Sequence, residues 1–297
     1  MKCIPLPNFP NEYQALYKET DTRSYELLRE HYEIERELAE KLRNAPPQDR
    51  RRLYTQVYEE LFCRVPHHPQ LTRKNNEHAL RCEALQQLEV IRPLLHPGCT
   101  VAEIGSGDCA LAQTLAPFVR RVIALDVSPT IMHLPTPPPC NIVRIVFDGY
   151  SFPVPDNSID LTLSNQLIEH LHPEDARAQL KELHRILTPG GKYLCITPHR
   201  LSGPHDISRY FDRCATGLHL KEYVISELVH LFRDVGFSSF RIILRVSRQR
   251  HILWPLLPVH VLEKFLLLLP RFMSVTLARR LPIGVFRVIR FVAVKHR

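Results

Sequence analysis

The stretch that decides the fold is Thr100-Val101-Ala102-Glu103-Ile104-Gly105-Ser106-Gly107. It predicts a buried strand over 100–104 that runs into a glycine turn and then into a helix rich in Ala and Leu. Glycines in such a turn let the backbone approach a ligand closely. The spacing of Gly105, Gly107 and Ala110 also fits the dinucleotide fingerprint in its G-x-G-x-x-A form. The turn alone therefore does not identify which cofactor is bound.

Two carboxylates near this turn narrow the choice of ligand. Glu103 ends the strand, where it would repel a pyrophosphate but attract a cation. Asp126 follows Gly107 by nineteen residues, so one helix and one turn return it to the same edge of the sheet, where it can accept hydrogen bonds from ribose hydroxyls. The alternative for Glu103 is a purely structural role, as a helix cap or in a salt bridge. The alternative for Asp126 is that it caps the following turn. The pair predicts a site for an adenosine-bearing cofactor with a cationic end.

Short β-branched runs alternate with helical patterns along the chain from residue 97 onwards, which predicts an α/β fold with a doubly wound, mostly parallel, seven-stranded Rossmann-like sheet. We expect strands at 100–104, 121–126, 141–146, 159–164, 191–197, 239–246 and 285–295. Amphipathic helices are predicted at 11–44, 50–63 and 75–95. The predicted organisation is a helical cap or lid at 1–72, a cofactor-binding core at 73–247, an apolar and basic insertion at 248–283 between the last two strands, and the final strand at 284–297.

Over about residues 75–245 the sequence resembles the class I S-adenosylmethionine-dependent methyltransferase family, particularly its small-molecule branch. The motifs that carry the resemblance are Glu103 to Gly107, Asp126, Phe147-Asp148-Gly149, Ser164-Asn165-Gln166 and Leu187-Thr188-Pro189-Gly190-Gly191-Lys192, in the family's order. The resemblance implies S-adenosyl-L-methionine as cofactor and S-adenosyl-L-homocysteine as product. It implies that Glu103 and the turn Gly105-Ser106-Gly107 bind the methionyl part, Asp126 the ribose and Asp148 the adenine ring, and that Asn165 and Gln166 form the wall near the sulfonium. Val127 and Gly149 are further candidates for cofactor binding.

Methyl transfer from a sulfonium is an in-line displacement, so the protein chiefly positions the acceptor, with a general base only where the acceptor starts protonated. Three histidines near the carboxyl edge of the sheet are candidates for that base or for acceptor contact: His170, His199 and His205. Asp206 and Tyr210, in the polar loop after the fifth strand, are candidates for substrate binding. A local role in satisfying backbone groups is the alternative for the loop residues.

A metal is not predicted. Some relatives, including quinone-precursor and small-RNA 2′-O-methyltransferases, bind a divalent metal through Glu-x-x-Glu-His at the place of residues 166–170. Here Gln166 replaces the first glutamate and leaves only Glu169 and His170, which weakens a site for a hard metal ion.

The net charge of +8 is concentrated at the end of the chain, because residues 241–297 hold twelve Arg or Lys and one acid, Glu263. The insertion at 248–283 is also rich in apolar residues. Three interpretations remain open: a lid over the active site or a homodimer contact, a surface for peripheral membrane contact or a lipid-like acceptor, and an RNA-binding surface. The third is disfavoured because the basic residues are interleaved with aliphatic rather than aromatic side chains.

The eight cysteines are scattered without zinc spacing, which is typical of reduced thiols in a cytoplasmic protein, and no apolar run is long enough for a signal peptide or a membrane span. The predicted function is transfer of the methyl group of S-adenosyl-L-methionine to a small or lipid-like organic acceptor, with O-methylation favoured. The N-terminal helices and the insertion are expected to form the acceptor pocket. An RNA methyltransferase, an NAD-linked oxidoreductase and a non-catalytic cofactor-binding partner protein are the alternatives.

Overall fold

The computed structural model describes residues 21–73, 77–132, 139–247, 250–281 and 284–296. The strands in this part of the chain form one eight-stranded sheet in the order β3-β2-β1-β4-β5-β8-β6-β7. They are β1 (Thr100–Ile104), β2 (Arg121–Asp126), β3 (Ile142–Val146), β4 (Ile159–Asn165), β5 (Leu187–Pro198), β6 (Phe237–Arg245), β7 (His251–Pro255) and β8 (Val288–Lys295). The strands β1 to β5 pair in parallel, and β8, β6 and β7 add antiparallel pairs.

The helices are α1 (Tyr25–Asn44), α2 (Pro47–Arg64), α3 (Pro69–Arg73), α4 (Glu77–Ile91), α5 (Ala110–Leu115), α6 (Pro173–Ile186), α7 (Ile225–Arg233), α8 (Leu256–Leu268) and α9 (Arg271–Arg280). The sheet order reverses direction between β1 and β4, whose loops therefore leave on opposite faces and open a crevice at their carboxyl ends. The predicted α/β doubly wound class is confirmed.

The prediction of seven strands is wrong by one. The eighth, β7, lies in the insertion and pairs antiparallel with β6 from Arg241–Pro255 to Arg245–His251. The strand is short, its burial does not alternate, and it ends at Pro255, so its sequence lacks the period-two pattern that identifies a strand. Pairing with β6, rather than local preference, fixes its conformation.

The N-terminal helices end close to the predicted positions, but the first begins later than predicted, at Tyr25, because residues 21–24 are not helical. Ser24 caps α1, because its side chain accepts a hydrogen bond from the amide of Leu27 at 3.3 Å; the predicted helical residues 11–20 lie outside the described residues. On α4, Ala84, Leu88 and Ile91 are buried as the predicted apolar face requires. In contrast, Leu85 is 46% exposed, so the buried stripe is narrower than the sequence indicates.

A buried ion pair fastens α2 to the first turn of α6. The guanidinium of Arg50 donates to both carboxylate oxygens of Asp175, at 2.6 and 3.0 Å, and the hydroxyl of Tyr54 donates to the same carboxylate at 2.8 Å. Arg50 and Asp175 are 2% and 4% exposed. Because water cannot replace these bonds, the pair fixes the position of α2 against the core.

None of the described helices is long and apolar enough to cross a membrane. Six cysteines, at 63, 82, 99, 109, 140 and 195, are free thiols. The expectation that all cysteines are reduced fails at Cys214, which is disulfide-bonded.

Candidate active site

A cavity of about 300 Å³ lies at the carboxyl ends of β1, β2 and β4, where the sheet order reverses. Its floor is the glycine turn after β1, and helices α2 and α4 form its other wall. This is the position at which open α/β sheets bind ligands.

The turn after β1 presents its backbone to the cavity. Gly105 and Gly107 have positive φ angles of 71° and 52°, a conformation that favours glycine. A Cβ atom on Gly105 would lie 3.2 Å from the side chain of Leu167, whereas one on Gly107 would meet nothing within 4 Å. The amides of Gly105 and Ser106 both donate to the carbonyl of Leu125, at 2.8 and 3.0 Å. The turn is thus anchored to β2 on one side and open to a ligand at Gly107.

Asp126 ties the end of β2 to this turn. One carboxylate oxygen accepts from the amide of Gly107 at 2.8 Å, and the other accepts from the amide of Ser128 at 3.0 Å. The side chain is buried and lines the cavity. The predicted return of Asp126 to the glycine turn is what the structure shows, while its bond to a ribose remains a prediction.

Glu103 is a buried carboxylate in the cavity wall, and its Oε2 has no hydrogen-bond partner among the described residues. Burial, together with the negative charges of Asp108 and Asp126, raises the pKa of Glu103 well above its usual value. A bound cation would satisfy the unpaired oxygen and offset the repulsion among these carboxylates. The site is therefore suited to a positively charged ligand and unsuited to a pyrophosphate.

The remaining predicted cofactor residues divide into two groups. Val127, Gly149, Asn165 and Gln166 line the cavity, and Gln166 holds a positive φ of 56° that is unusual outside glycine. Asp148 is exposed, does not line the cavity, and accepts from the amides of residues 150 and 151 at 2.8 Å each. Its predicted contact with adenine is therefore not supported by its position in this structure.

Of the three candidate histidines, His170 alone lines the cavity. Its Nδ1–H donates to the carbonyl of Leu218 at 3.0 Å, which leaves the lone pair on Nε2. Burial, reinforced by the neighbouring His219, lowers the pKa of His170 to about 3, so the ring is neutral at neutral pH.

His199 and His205 lie outside the cavity lining. His199 is fully buried, with Nε2 at 2.8 Å from a carboxylate oxygen of Glu263 on α8 and Nδ1 accepting from the amide of Leu201 at 3.1 Å. His205 Nε2 lies 3.1 Å from the carbonyl of His199, and its backbone amide donates to Glu222 at 2.7 Å. Both rings bond to protein groups away from the cavity, so the geometry favours His170 as the residue near the acceptor.

The two predicted substrate residues also lie away from the cavity. Asp206 accepts from the amide of Ser208 at 3.0 Å and caps a short 3-10 turn, as the alternative interpretation of this loop proposed. Tyr210 packs with Leu28 and Tyr32 of α1 in a separate buried cluster. The loop therefore holds the N-terminal helix to the core.

Three aromatic residues on α2 line the cavity and were not among the predicted site residues: Tyr54, Tyr58 and Phe62. Their spacing of four residues places them on one face of the helix, but the sequence gives no sign of what that face covers. No described residue of the insertion lines the cavity. The expectation that the insertion shares in the acceptor pocket therefore has no support in this geometry.

The fold and the cavity define an α/β core with a ligand-sized crevice at its switch point, where buried carboxylates suit a positively charged ligand. Residues 102–195 match the family model described as a methyltransferase domain. A Mycolicibacterium smegmatis protein, named "Probable S-adenosylmethionine-dependent methyltransferase/", is 33% identical over 48% of this chain and 52% of its own length. The malonyl-[acyl-carrier protein] O-methyltransferase of Hahella chejuensis is 32% identical over 37% of this chain and 40% of its own.

A methyltransferase of Haloferax volcanii, solved with the Trm112 methyltransferase activator, shares the fold with a TM-score of 0.52 at 17% identity, over 76% of this chain and 97% of that one. The chain spans about half the length of the curated relatives it matches. Residues 102–195 therefore match a methyltransferase domain, and relatives that this part of the chain resembles are named as S-adenosylmethionine-dependent methyltransferases.

Proposed function

We propose that this chain transfers the methyl group of S-adenosylmethionine to a small or lipid-like organic acceptor, with oxygen favoured as the acceptor atom. The observation that carries the proposal is the unpaired, buried carboxylate of Glu103 beside Asp108 and Asp126. The cofactor supplies a cationic sulfonium and an electrophilic methyl carbon. The similarity to the Hahella O-methyltransferase supports oxygen as the acceptor atom.

The chain's own residues act chiefly by position. In the proposed arrangement, Glu103 and the turn at 105–107 hold the cationic end and Asp126 holds the ribose. Tyr54, Tyr58 and Phe62 exclude water and cover the acceptor on the opposite side. His170 contributes the Nε2 lone pair on the same cavity, where it can accept a proton from a hydroxyl acceptor. Its low pKa makes it a weak base, so placement rather than basicity is its main contribution.

The proposal is tested by incubating the full chain with a metabolite and lipid extract and with cofactor that carries a deuterated methyl group. Mass spectrometry should show the corresponding mass gain on a small or lipid-like molecule. Label that appears only on RNA would overturn the acceptor class. Cofactor binding without label on any acceptor would support the non-catalytic alternative.

Calorimetry separates the methyltransferase from the NAD-linked oxidoreductase. S-adenosylhomocysteine should bind and NAD should not, because Glu103 repels a pyrophosphate. Binding of NAD in place of S-adenosylhomocysteine would contradict the proposal.

A lipid-like acceptor and peripheral membrane contact are favoured by the surface of α8 and α9, which we call the insertion face. Leu257, Leu268 and Phe272 are 71%, 85% and 74% exposed, far more than is usual for large apolar side chains in a contiguous region. Exposed basic residues accompany them, at Lys264, Arg271, Arg279 and Arg280. Apolar side chains surrounded by cations fit the interface of a bilayer that carries anionic headgroups.

Sedimentation of the full chain with vesicles tests this surface. The chain should pellet with phosphatidylcholine vesicles that contain phosphatidylglycerol and much less with phosphatidylcholine alone. Leu268→Glu with Phe272→Glu should weaken vesicle binding at least about 10-fold. Val146→Glu is the matched control, because Val146 is an exposed apolar residue on β3, away from this face. Equal pelleting of both variants, or salt-sensitive binding of transcript RNA in place of vesicles, would contradict a membrane role.

A further inference from the structure

The wall of the cavity opposite the glycine turn consists largely of aromatic rings and neutral amides. Tyr54, Tyr58 and Phe62 of α2 contribute the rings, and Gln70 of α3 and Gln87 of α4 contribute the amides. Aromatic rings stack on planar ligands, and a carboxamide offers both a donor and an acceptor for hydrogen bonds. This lining is therefore suited to a planar, uncharged ligand with polar atoms at its edge.

Of the three rings, only that of Tyr58 carries a hydroxyl that the described part of the chain leaves available to a ligand. The hydroxyl of Tyr54 donates to the carboxylate of Asp175 at 2.8 Å and accepts from the amide of His172 at 2.8 Å. Phe62 has no hydroxyl. The hydroxyl of Tyr58 has no hydrogen-bond partner among the described residues. A ligand in the cavity can therefore supply the partner that Tyr58 lacks.

The Tyr58 ring packs against the imidazole of His170. The two rings meet edge-on, with centroids 6.2 Å apart and planes at 69°. Burial, together with the negative charges of Glu35 and Glu169, raises the pKa of Tyr58, so its hydroxyl stays protonated and acts as a donor. His170 presents the lone pair on Nε2 to the same cavity. A hydrogen-bond donor and a proton acceptor are thus neighbours on one wall.

Carboxylates determine the charge of the cavity. Glu103, Asp108 and Asp126 all line it. S-adenosylmethionine has one net positive charge, so when all three carboxylates are ionised the bound cofactor offsets only one of their negative charges. The charge that remains would repel an acceptor with a carboxylate or a phosphate group. The cavity therefore favours an acceptor without an anionic group.

The base in the cavity limits which hydroxyl groups can react. A phenol, like a tyrosine side chain, ionises with a pKa of about 10, whereas water, which resembles an alcohol, has a pKa of about 15.7. Burial lowers the pKa of His170 to about 3, so this imidazole is a weak base that needs an acidic hydroxyl as its partner. An aryl hydroxyl meets this requirement much better than an aliphatic one.

We propose that the acceptor is an uncharged phenol, whose ring stacks on the aromatic face of α2 and whose hydroxyl lies between Tyr58 and His170. This inference rests on the proposed function and narrows its acceptor. The phenol oxygen forms its bond to the methyl carbon as the bond from that carbon to sulfur breaks, and the electron pair of the broken bond stays on sulfur. The hydroxyl proton passes to Nε2 of His170 and from there to water. Tyr58 donates to the oxygen and stabilises the negative charge that develops on it.

Three matched probes separate the properties that the proposal requires. Para-cresol is an uncharged phenol, para-hydroxybenzoate replaces its methyl group by a carboxylate, and para-methylcyclohexanol is the saturated alcohol of the same shape. Calorimetry measures the Kd of each for the full chain saturated with S-adenosylhomocysteine. Para-cresol should bind at least about 10-fold more tightly than either analogue, because the carboxylate is repelled and the saturated ring cannot stack. Absence of para-cresol binding, or equal or tighter binding of either analogue, would overturn the proposal.

Tyr58→Phe tests the position of the acceptor oxygen, because it keeps the ring and removes the hydroxyl. The kcat for methylation of para-cresol should fall about 10- to 100-fold, with a smaller change in KM, since the lost hydrogen bond is strongest to the charge that develops during transfer. The Kd for S-adenosylhomocysteine should stay within about 3-fold. Tyr25→Phe is the matched control, because Tyr25 is exposed on α1 and does not line the cavity. An unchanged kcat in Tyr58→Phe would contradict the assigned position of the oxygen.

Gln87→Arg tests the charge of the acceptor. A cation at this place in the lining should raise the affinity for para-hydroxybenzoate relative to para-cresol at least about 10-fold. Gln86→Arg is the matched control, because Gln86 is the preceding residue of α4, is exposed and does not line the cavity. Equal ratios in the two variants would show that the charge of the lining does not select the acceptor.

Failure of the phenol proposal and failure of the proposed function have different signatures. If the chain binds S-adenosylhomocysteine and labels a carboxylate, an amine or an aliphatic alcohol of the metabolite extract, but not para-cresol, the phenol is wrong and methyl transfer stands. Treatment of the labelled products with alkali identifies carboxylate acceptors, because methyl esters are hydrolysed and aryl methyl ethers are not. A chain that binds no S-adenosylhomocysteine would refute the function itself.

Discussion

The N-terminal helices α1 and α2 bury charged side chains, whereas the insertion face exposes apolar ones. Among apolar contacts, α1 and α2 also bury ion pairs: Arg50–Asp175 joins α2 to α6, and His31–Glu35 lies within α1. On α8 and α9, apolar side chains such as Leu268 are exposed. The first region contains buried charges that must stay paired, whereas the second has apolar surface that folding leaves uncovered. Substitutions should therefore have opposite consequences for stability and for binding in the two regions.

The largest expected effect is the loss of the Arg50–Asp175 pair. Arg50→Ala leaves the buried carboxylate of Asp175 without its cation, so the free energy of unfolding should fall by about 3–5 kcal/mol. Urea denaturation measures the change. Arg52→Ala, an exposed arginine on the same helix, should change stability by less than about 0.5 kcal/mol. Equal effects of the two substitutions would show that α2 does not depend on this ion pair.

A second effect concerns pH. Burial opposes ionisation of Glu35, but the hydrogen bond and charge of His31 outweigh it and lower the pKa of Glu35 to about 2 from 4.5. A lowered carboxyl pKa stabilises the fold above the unfolded value, and that stability is lost as the pH falls from about 4.5 to about 2; it amounts to about 3 kcal/mol. The difference in unfolding free energy between the wild type and Glu35→Gln, measured across this range, should therefore shrink towards low pH. A constant difference would exclude this linkage.

Substitution of Asp126 should affect the cofactor more than the fold. Asp126→Ala removes the acceptor for the amides of Gly107 and Ser128 and the proposed partner of the ribose. The Kd for S-adenosylhomocysteine should rise at least about 100-fold, or about 2.7 kcal/mol. Calorimetry gives this Kd directly. Unchanged affinity would mean that the end of β2 does not bind the ribose.

The same measurement of Kd, made on Asp148→Ala, tests whether Asp148 contacts the cofactor. The sequence assigns this residue to the adenine, but its carboxylate caps the local turn and lies outside the cavity lining. We expect the Kd to rise by less than about 10-fold, because the loss of a turn cap costs about 1 kcal/mol. A rise in Kd as large as that of Asp126→Ala would support the predicted contact between Asp148 and the adenine.

The smallest effect on stability is expected on the insertion face. Leu268→Glu should change the free energy of unfolding by no more than about 0.5 kcal/mol, since the side chain is exposed in the folded chain. The same denaturation assay checks this value. Destabilisation comparable to that of Arg50→Ala would reveal that the face is covered in the folded protein, as in a homodimer.

The sequence by itself determined the α/β class, seven of the eight strands, and the cofactor turn. These features are local: a strand, a glycine turn with positive φ and a carboxylate at a strand end are adjacent residues, so their spacing shows them. Gly105, Gly107 and Asp126 meet because parallel strands align their carboxyl ends at one edge of a sheet. Asp148, His199 and His205 satisfied the same pattern but lie elsewhere, because the pattern gives position along a strand and not the direction of the side chain.

Only the tertiary structure decided which distant residues meet. Arg50 pairs with Asp175, His199 with Glu263, and His219 lies beside Glu169 and His170. These contacts join residues far apart in the chain, 125 positions apart for Arg50–Asp175 and 64 for His199–Glu263, and neither partner carries a local signal of the other. The burial of a charge and the exposure of a leucine are likewise properties of the assembled chain, because both depend on what the rest of the molecule covers. Sequence thus identified the cofactor, while packing selected the residues that surround it.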